Sequence, residues 1–138
     1  MASIFTQIIN REIPAQIVYE NDHVISFMDI APKSLGHTLV VPKVEVAAYE
    51  DLPPEAAAHL SSACQLVIRG VTRAMKTPHY NLTLNNGTPA GQVIFHVHFH
   101  VIPRYEGMDR SERPQVDSEK LKEMAEAIKQ AIDEAAGN

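Results

Sequence analysis

The sequence predicts an α+β fold in which a sheet of five mainly antiparallel strands is covered by one main helix, with a shorter helix near each end of the chain. Runs rich in β-branched and aromatic residues recur between turn signals, which is typical of strands. One long stretch from Pro54 repeats apolar residues at helical spacing. The length of 138 residues, with 45% hydrophobic and 21% charged residues, suits one domain with a single core.

The first third of the chain predicts a helix followed by three strands. Ser3 can cap a short helix whose apolar residues recur at helical spacing, and we expect that helix to end at Pro14. Two β-rich runs, AQIVYE and VISFMDI, flank the turn-forming pair Asn21-Asp22. A third run, HTLVVPK, is entered through Gly36. These patterns predict strands on either side of short turns.

The remainder predicts the main helix, two more strands and a C-terminal helix. Pro54 is a good first helical residue, and one apolar face continues through EAAAHLSSACQLVIRGVTRAM. YNLTL alternates as a strand, NNGTPAG has loop composition, and VIFHVHFHVIP predicts a long strand closed by Pro103. We therefore expect a single domain, with residues 1–104 as its core, 105–116 as a polar linker and 117–136 as a C-terminal helix.

Charge and composition limit the function classes. A formal net charge of −5 argues against nucleic-acid binding, which normally requires a basic face. No apolar run reaches the roughly 18 residues of a membrane span, and the first residues do not resemble a secretory signal. We therefore expect a cytoplasmic protein with neither a nucleic-acid nor a membrane partner. Cys64 is the only cysteine, and we expect it to be a small buried helix residue.

The stretch GQVIFHVHFHVIP carries three histidines at alternate positions. On a strand, the three histidines His96, His98 and His100 share one face. The alternating apolar residues share the other face and must meet the core: Val97, Phe99 and Val101. The outer two start about 13 Å apart along the strand, so the three alone form a poor zinc site. Two of them together with the distant His37 remain a possible metal site, and three histidines without a role on a solvated face are a further alternative.

Nucleophilic catalysis or anion binding explains this pattern better. A neutral imidazole can attack phosphorus, and a second imidazole on the same face can donate a hydrogen bond to a phosphoryl oxygen. The preceding loop NNGTPAGQ can add backbone N–H groups and amide side chains, which bind phosphate without a basic cluster.

The string HVHFHVI resembles the signature of the histidine triad superfamily of nucleotidyl hydrolases and transferases. SIFTQIINREIPAQIVYENDHVISFMDIAPKSLGHTLVVPK is similar to the N-terminal half of the Hint branch, and NNGTPAGQ matches the length of the loop that leads up to its triad. The segment after the triad and the long C-terminal helix instead resemble bacterial or Fhit-like relatives. The resemblance covers most of residues 3 to 104 and implies the half-barrel fold of that family.

Carried over position by position, the resemblance implies a purine nucleotide site. His98 would attack the α-phosphorus and form a nucleotidyl-histidine intermediate, His100 would hold a phosphate oxygen, and His96 and His37 would form a hydrogen-bond relay behind the nucleophile. Asp29 would bind the ribose hydroxyls. The base pocket would be lined by apolar residues: Ile4, Phe5, Ile8, Ile13, Phe27 and Ile30. For most of these apolar positions, a plain core role fits at least as well.

The resemblance also implies the surroundings of the leaving group. Asn85 and the backbone of Gly91 and Gln92 would face the phosphate or the leaving group. Val93 stands where phosphoramidases of the Hint type commonly carry a serine or threonine, so one hydroxyl is missing there. Zinc-bearing relatives have a CxxC motif near the start, where this chain has Ser3 and Thr6. We therefore expect no structural zinc and no cofactor.

The leading functional hypothesis is a phosphoramidase that hydrolyses conjugates of AMP or GMP through His98, acting as a homodimer. Hydrolysis of dinucleoside polyphosphates is the first alternative, and a nucleotide-binding regulatory protein and a histidine-metal enzyme are the others. Arg104 is the only cation close to the triad in sequence, so a long polyphosphate looks poorly matched.

Overall fold

The computed structural model describes residues 2–137, which form three α-helices and five strands. The helices are α1 (Ile4–Ile9), α2 (Pro54–Met75) and α3 (Ser118–Ala136). The strands are β1 (Ile17–Glu20), β2 (Val24–Met28), β3 (Thr38–Pro42), β4 (His79–Thr83) and β5 (Phe99–Arg104). Two short 3-10 turns, Tyr49–Asp51 and Thr88–Ala90, lie in the loops.

The five strands form one sheet in the order β1-β2-β3-β5-β4, and every neighbouring pair is antiparallel. This confirms the predicted α+β fold with five antiparallel strands. The β3–β5 pairing joins Thr38 to Val101 and Val40 to Phe99. It therefore places the segment that contains His37 beside the end of the histidine string.

Helices cover both faces of the sheet. The larger core cluster joins apolar residues of α2 and α3 to one face, which includes Val24, Met28 and Val40. The smaller cluster joins Phe5 and Ile8 of α1 to the other face. All five residues of β2 and all five of β3 are therefore buried. This is why these two segments read as apolar runs in the sequence.

The C-terminal helix packs into the same core as the main helix. Asp117 caps α3, since its side chain accepts a hydrogen bond from the backbone N–H of Lys120. Ile128 and Ile132 of α3 are fully buried, and α3 passes so close to Gly70 of α2 that a Cβ there would lie 2.2 Å from Cγ1 of Ile132. Within residues 2–137, no helix is both long and apolar enough to cross a membrane.

Two predicted element boundaries were wrong. Helix α1 ends at Ile9, well before Pro14, and Arg11 takes the left-handed conformation at φ 62° in the turn that follows. Strand β5 begins only at Phe99, and Pro103 lies inside it, paired with Tyr80 of β4. Pro103 lies beyond Val101, the last residue of β5 that pairs with β3, so its missing N–H interrupts no bond of that ladder.

Candidate active site

The histidine string lies along a cavity of about 500 Å³ between α1 and the sheet, here called the triad cavity. His96 and His98 precede β5 on irregular backbone, and only His100 lies on the strand. The expected alternation nevertheless extends over the whole string. Val97 and Val101 pack in the core on the α2 side, whereas the rings of His96 and His98 contact Phe5 of α1.

The hydrogen bonding of His98 assigns its tautomer. Its Nδ1 lies 2.7 Å from the backbone carbonyl oxygen of His96. Because a carbonyl oxygen can only accept, Nδ1 carries the proton and Nε2 keeps a free lone pair in the neutral ring. His98 is 8% exposed and lines the triad cavity. The ring therefore has the protonation of a nucleophile that attacks through Nε2.

His100 is the opposite tautomer, and the hydrogen bonds of His37 determine this. The backbone N–H of Lys33 donates to Nδ1 of His37 at 3.0 Å, so the proton of His37 is on Nε2. Nε2 of His37 then donates to Nδ1 of His100, also at 3.0 Å. In neutral His100 the proton is consequently on Nε2. His100 lines the triad cavity beside His98 and can act there as a hydrogen-bond donor.

His96 does not face the triad cavity. Its ring is completely buried, donates from Nε2 to the carbonyl oxygen of Pro42 at 2.8 Å, and accepts at Nδ1 from the hydroxyl of Ser3 at 2.7 Å. The relay that the resemblance implied behind His98 is therefore different here. His37 bonds to His100, and His96 reaches His98 only through its backbone carbonyl. The register of β3 against β5 explains this, since it brings His37 next to His100.

Burial keeps all four rings neutral near pH 7. Loss of hydration lowers the pKa of His37 and of His100 from the ordinary value of 6.5 to about 4. The positive charge of Lys33 also lowers the pKa of both rings, while the Asp29 carboxylate opposes this. Burial likewise lowers the pKa of His96 and of His98. The two assigned tautomers are therefore the states present under ordinary conditions.

The predicted base and ribose residues surround the triad cavity. Phe5, Ile8 and Phe27 are buried in its wall, and the ring of Phe5 meets the ring of His98 nearly perpendicularly. The other predicted apolar residues also line it: Ile4, Ile13 and Ile30. Ile30 is 82% exposed and Ile4 is 50% exposed. Exposed apolar side chains at the rim of a cavity are suited to cover the face of a ligand.

Asp29 follows β2 and lies beside the His37–His100 pair. Its Oδ1 accepts from the backbone N–H of Ala31, and its Oδ2 lies 3.5 Å from Nε2 of His37. The carboxylate therefore retains free acceptor positions toward the triad cavity, which it lines. These positions can accept hydrogen bonds from hydroxyl groups such as those of a ribose.

In the loop before the triad, some residues line the triad cavity, and Gln92 instead stabilises the conformation of the loop. Asn85, Gly91 and Val93 line the triad cavity, and Val93 is 84% exposed at its rim. Gln92, which we expected beside the nucleotide, does not line it. Its buried side chain accepts from the backbone N–H of Gly87 and donates to the carbonyl oxygens of Ala47 and Ile94. Gln92 therefore holds the loop in shape.

Asp29, His37 and His100 also satisfy the spacing of a metal site, with one possible ligand atom from each within 4.8 Å of the others. The hydrogen bonds do not fit this use. To bind a cation, Nε2 of His37 would need a lone pair, which would move the proton to Nδ1. The N–H of Lys33 already donates to that Nδ1. These hydrogen bonds therefore favour a proton, and not a metal ion, between Nε2 of His37 and Nδ1 of His100.

Comparison with known proteins agrees with the fold and the triad. A family model described as the HIT domain matches residues 10–107. The chain belongs to the HIT family.

Relatives of this HIT protein include an uncharacterized HIT-like protein of Methanocaldococcus jannaschii, 45% identical over 104 residues that make up 75% of this chain and 80% of the relative. The adenosine 5′-monophosphoramidase of Schizosaccharomyces pombe is 38% identical over 104 residues, which are 75% of each protein. An adenylylsulfatase of Arabidopsis thaliana is 40% identical over 103 residues, 75% of this chain and 52% of the relative. A solved Hit-like protein from Bartonella henselae superposes with a TM-score of 0.86 at 37% identity, covering 94% of this chain and 95% of that one.

The cationic side chain at the site of this HIT protein is Lys33, and not Arg104 as the sequence suggested. Lys33 lines the triad cavity, although sequence reasoning passed over it. Arg104, the cation expected near the triad, donates from Nε to Oδ1 of Asn81 and lines a separate cavity beside β4. A signal for Lys33 was present, because the short loop from Asp29 to His37 joins two predicted site residues and must pass the site.

Hydrogen bonds among four residues link α1 of this HIT protein to the histidine string: Ser3, Thr6, Glu45 and His96. The Glu45 carboxylate accepts from the backbone N–H of Ser3 at 2.9 Å and from the hydroxyl of Thr6, and Ser3 bonds to His96. The hydrogen bonds from Thr6 and from Ser3 lower the pKa of Glu45. In this chain, Ser3 and Thr6 therefore link the wall of the triad cavity to the triad.

Proposed function

We propose that the protein is a purine nucleotide phosphoramidase, a nucleotidyl hydrolase that acts on conjugates of AMP or GMP through a covalent intermediate on His98. The observation that carries this proposal is the pair of opposite tautomers in one cavity. His98 offers a bare Nε2, and His100 offers a protonated one. One ring can attack phosphorus while the other stabilises a phosphoryl oxygen.

The walls of the triad cavity support a nucleotide in one orientation. The purine would lie among the apolar side chains of α1 and β2, with Phe5 and Phe27 on the buried side. Asp29 would accept hydrogen bonds from the ribose hydroxyls. The phosphate would then lie against His98 and His100, with Asn85 as an additional donor. Val93 would flank the leaving group.

The reaction proceeds in two displacements at phosphorus. Nε2 of His98 forms a bond to the α-phosphorus, and the bond from phosphorus to the amine nitrogen breaks with its electron pair on nitrogen. Since the rim at Val93 is open, the amine takes its proton from solvent water. A water molecule then attacks phosphorus, the bond to Nε2 breaks, and the water proton leaves with solvent. The products are the free amine and the nucleoside monophosphate.

The leaving group is the part of the reaction that the site constrains least. A relative bears the name adenosine 5′-monophosphoramidase, and another bears the name adenylylsulfatase. Val93 has no hydroxyl that could donate a hydrogen bond or a proton to a leaving amine. A leaving group that departs as a stable anion needs no such proton, so sulfate is the second candidate. In both cases the nucleotidyl group would be held alike and His98 would form the same intermediate.

The test compares kcat/KM for adenosine 5′-phosphoramidate, adenylyl sulfate and a diadenosine polyphosphate, the last with and without Mg²⁺. We expect the phosphoramidate to be the best substrate. A preference of about tenfold for the dinucleotide would replace the phosphoramidase by a dinucleoside polyphosphate hydrolase. Tight AMP binding without turnover of any of the three would favour a nucleotide-binding regulatory protein.

Two copies of the chain are proposed to pair through β4. This strand is at the edge of the sheet, next only to β5, and carries the exposed side chains of Tyr80 and Leu82. An edge strand with unpaired backbone groups and exposed apolar side chains favours addition of another strand. Pairing with β4 of a second copy would extend the sheet across the dimer.

A further inference from the structure

Lys33 stands out because of its charge and its position. It lies in the loop between β2 and β3, and its half-buried side chain lines the triad cavity with His98 and His100. Among the described residues, it is the one lysine or arginine in that lining. It also forms no ion pair with any carboxylate of residues 2–137. Its positive charge is therefore available to a ligand.

Apart from Lys33, the described polar groups that line the triad cavity donate or accept hydrogen bonds but carry no positive charge near pH 7. The histidines are neutral because burial lowers the pKa of each ring, to about 4 for His37 and His100. Asp29 contributes a negative charge to the same cavity. Without Lys33, the cavity would present a carboxylate and neutral rings to a phosphate that is itself negative. Like charges held close together in a partly dry site repel each other strongly.

The charge of Lys33 acts where the phosphate is expected. Lys33 lines the triad cavity together with His100, and its positive charge contributes to the lowered pKa of His37 and of His100. The backbone N–H of the same residue sets the tautomer of His37, and through it that of His100. Lys33 thus anchors the His37–His100 pair through its backbone and adds a positive charge to the lining of the same cavity.

We propose that Lys33 binds the negative charge of the nucleotide's phosphoryl group and thereby selects 5′-phosphorylated nucleosides over nucleosides. The inference rests on the proposed function and adds to it a residue that touches the substrate. The apolar walls bind the base of a nucleoside and of a nucleotide equally. Lys33 supplies the part of the affinity that depends on the phosphate.

Calorimetric titration of the full chain with AMP and with adenosine tests this role. Lys33→Gln keeps most of the side-chain length and removes the charge, and Lys33→Arg restores the charge. Lys122→Gln, on the exposed face of α3, is the matched control. We expect Lys33→Gln to weaken AMP binding roughly tenfold and adenosine binding less than about twofold, as expected for one partly solvated charge pair. Lys33→Arg and Lys122→Gln should bind AMP nearly as the wild type does.

A second measurement does not depend on any ligand. Removal of the Lys33 charge should raise the pKa of His100, because that charge now lowers it. Titration of the ring nitrogens by NMR in the wild type and in Lys33→Gln gives the direction. An unchanged pKa of His100 would show that the ammonium group is too distant to act on the phosphate, and would overturn the inference.

The outcomes separate this inference from the function on which it rests. AMP binding that is unchanged in Lys33→Gln, or an equal loss for AMP and adenosine, overturns the role of Lys33 and leaves the phosphoramidase proposal intact. Failure of the wild-type protein to bind AMP at all overturns both. A loss confined to AMP and recovered in Lys33→Arg supports both.

Discussion

Nδ1 of His98 lies 2.7 Å from the backbone carbonyl oxygen of His96, so the backbone of one triad residue determines which nitrogen of the next is basic. His98→Ala should abolish nucleotidyl transfer and leave that carbonyl without its partner. Because the ring is buried, we expect the variant also to lose about 1–3 kcal/mol of stability. Rapid-quench mass spectrometry checks the first effect and urea unfolding the second. A nucleotidyl adduct that persists on His98→Ala protein would remove His98 from its assigned role.

His100→Ala should slow the reaction without preventing nucleotide binding. The substitution removes the Nε2 proton that is aimed into the triad cavity, and loss of such a donor typically costs on the order of 10²–10³ in rate. Steady-state kinetics on the phosphoramidate gives the value. His59→Ala, at an exposed position on α2, serves as a control with wild-type rates. A decrease of less than about threefold in His100→Ala would contradict the donor role.

The free energy of unfolding should fall as the pH is lowered from 6.5 toward 4. His37 and His100 have a pKa of about 4 in the folded protein and 6.5 as the ordinary value, so between these limits the unfolded chain binds protons that the folded protein does not. Each such proton contributes up to about 1.4 kcal/mol per pH unit. Urea unfolding over this range measures the slope. It should be smaller in His100→Asn, and equal slopes in the two proteins would contradict the assignment.

Gly70→Ala should destabilise the protein, although the same change in an unobstructed helix would stabilise it by about 1 kcal/mol. The new Cβ would lie 2.2 Å from Cγ1 of Ile132 and 3.0 Å from its backbone nitrogen, so α3 would have to move away from α2. We expect a loss of about 1–3 kcal/mol in urea unfolding. Adding Ile132→Ala should reduce the additional cost of Gly70→Ala. Strictly additive effects of the two substitutions would show that these residues do not compete for space.

Leu82→Lys should convert the proposed dimer into a monomer. Leu82 is 42% exposed on β4, the strand through which the two copies are expected to pair. A lysine there would place like charges near each other across the two-fold axis. Light scattering after size-exclusion chromatography gives the mass of each protein. A wild-type protein that stays monomeric at its highest soluble concentration would refute the pairing.

Local patterns predicted those parts of the fold that depend on local periodicity. β2 and β3 were found because helices bury both of their faces, and α2 because its apolar face repeats over 22 residues. The alternation of histidines and apolar residues also correctly predicted that Val97 and Val101 lie in the core. In each case the side chains that decide the structure are neighbours in sequence.

The partners of the histidines depend on contacts that periodicity does not encode. Pairing of Leu39 with His100 places His37 diagonally next to His100, and a shift of two residues would have placed it next to His98. The late start of β5 has a similar cause, since His96 bonds through its side chain to the Pro42 carbonyl. Lys33 was missed because its loop carries no periodic pattern. Lys33 lies at the cavity because the loop connects Asp29 to His37, two residues of the site.

The bond between Ser3 and His96 spans 93 positions of the chain and therefore has a consequence for the timing of folding during synthesis. Helix α1 has six residues, too few to be stable alone, so its side chains can form a wall only after their distant partner is available. During synthesis, the ribosome makes the cavity residues of α1 early and their hydrogen-bond partner His96 late. Nascent chains released before His96 should therefore bind no nucleotide, however well the first three strands have already paired.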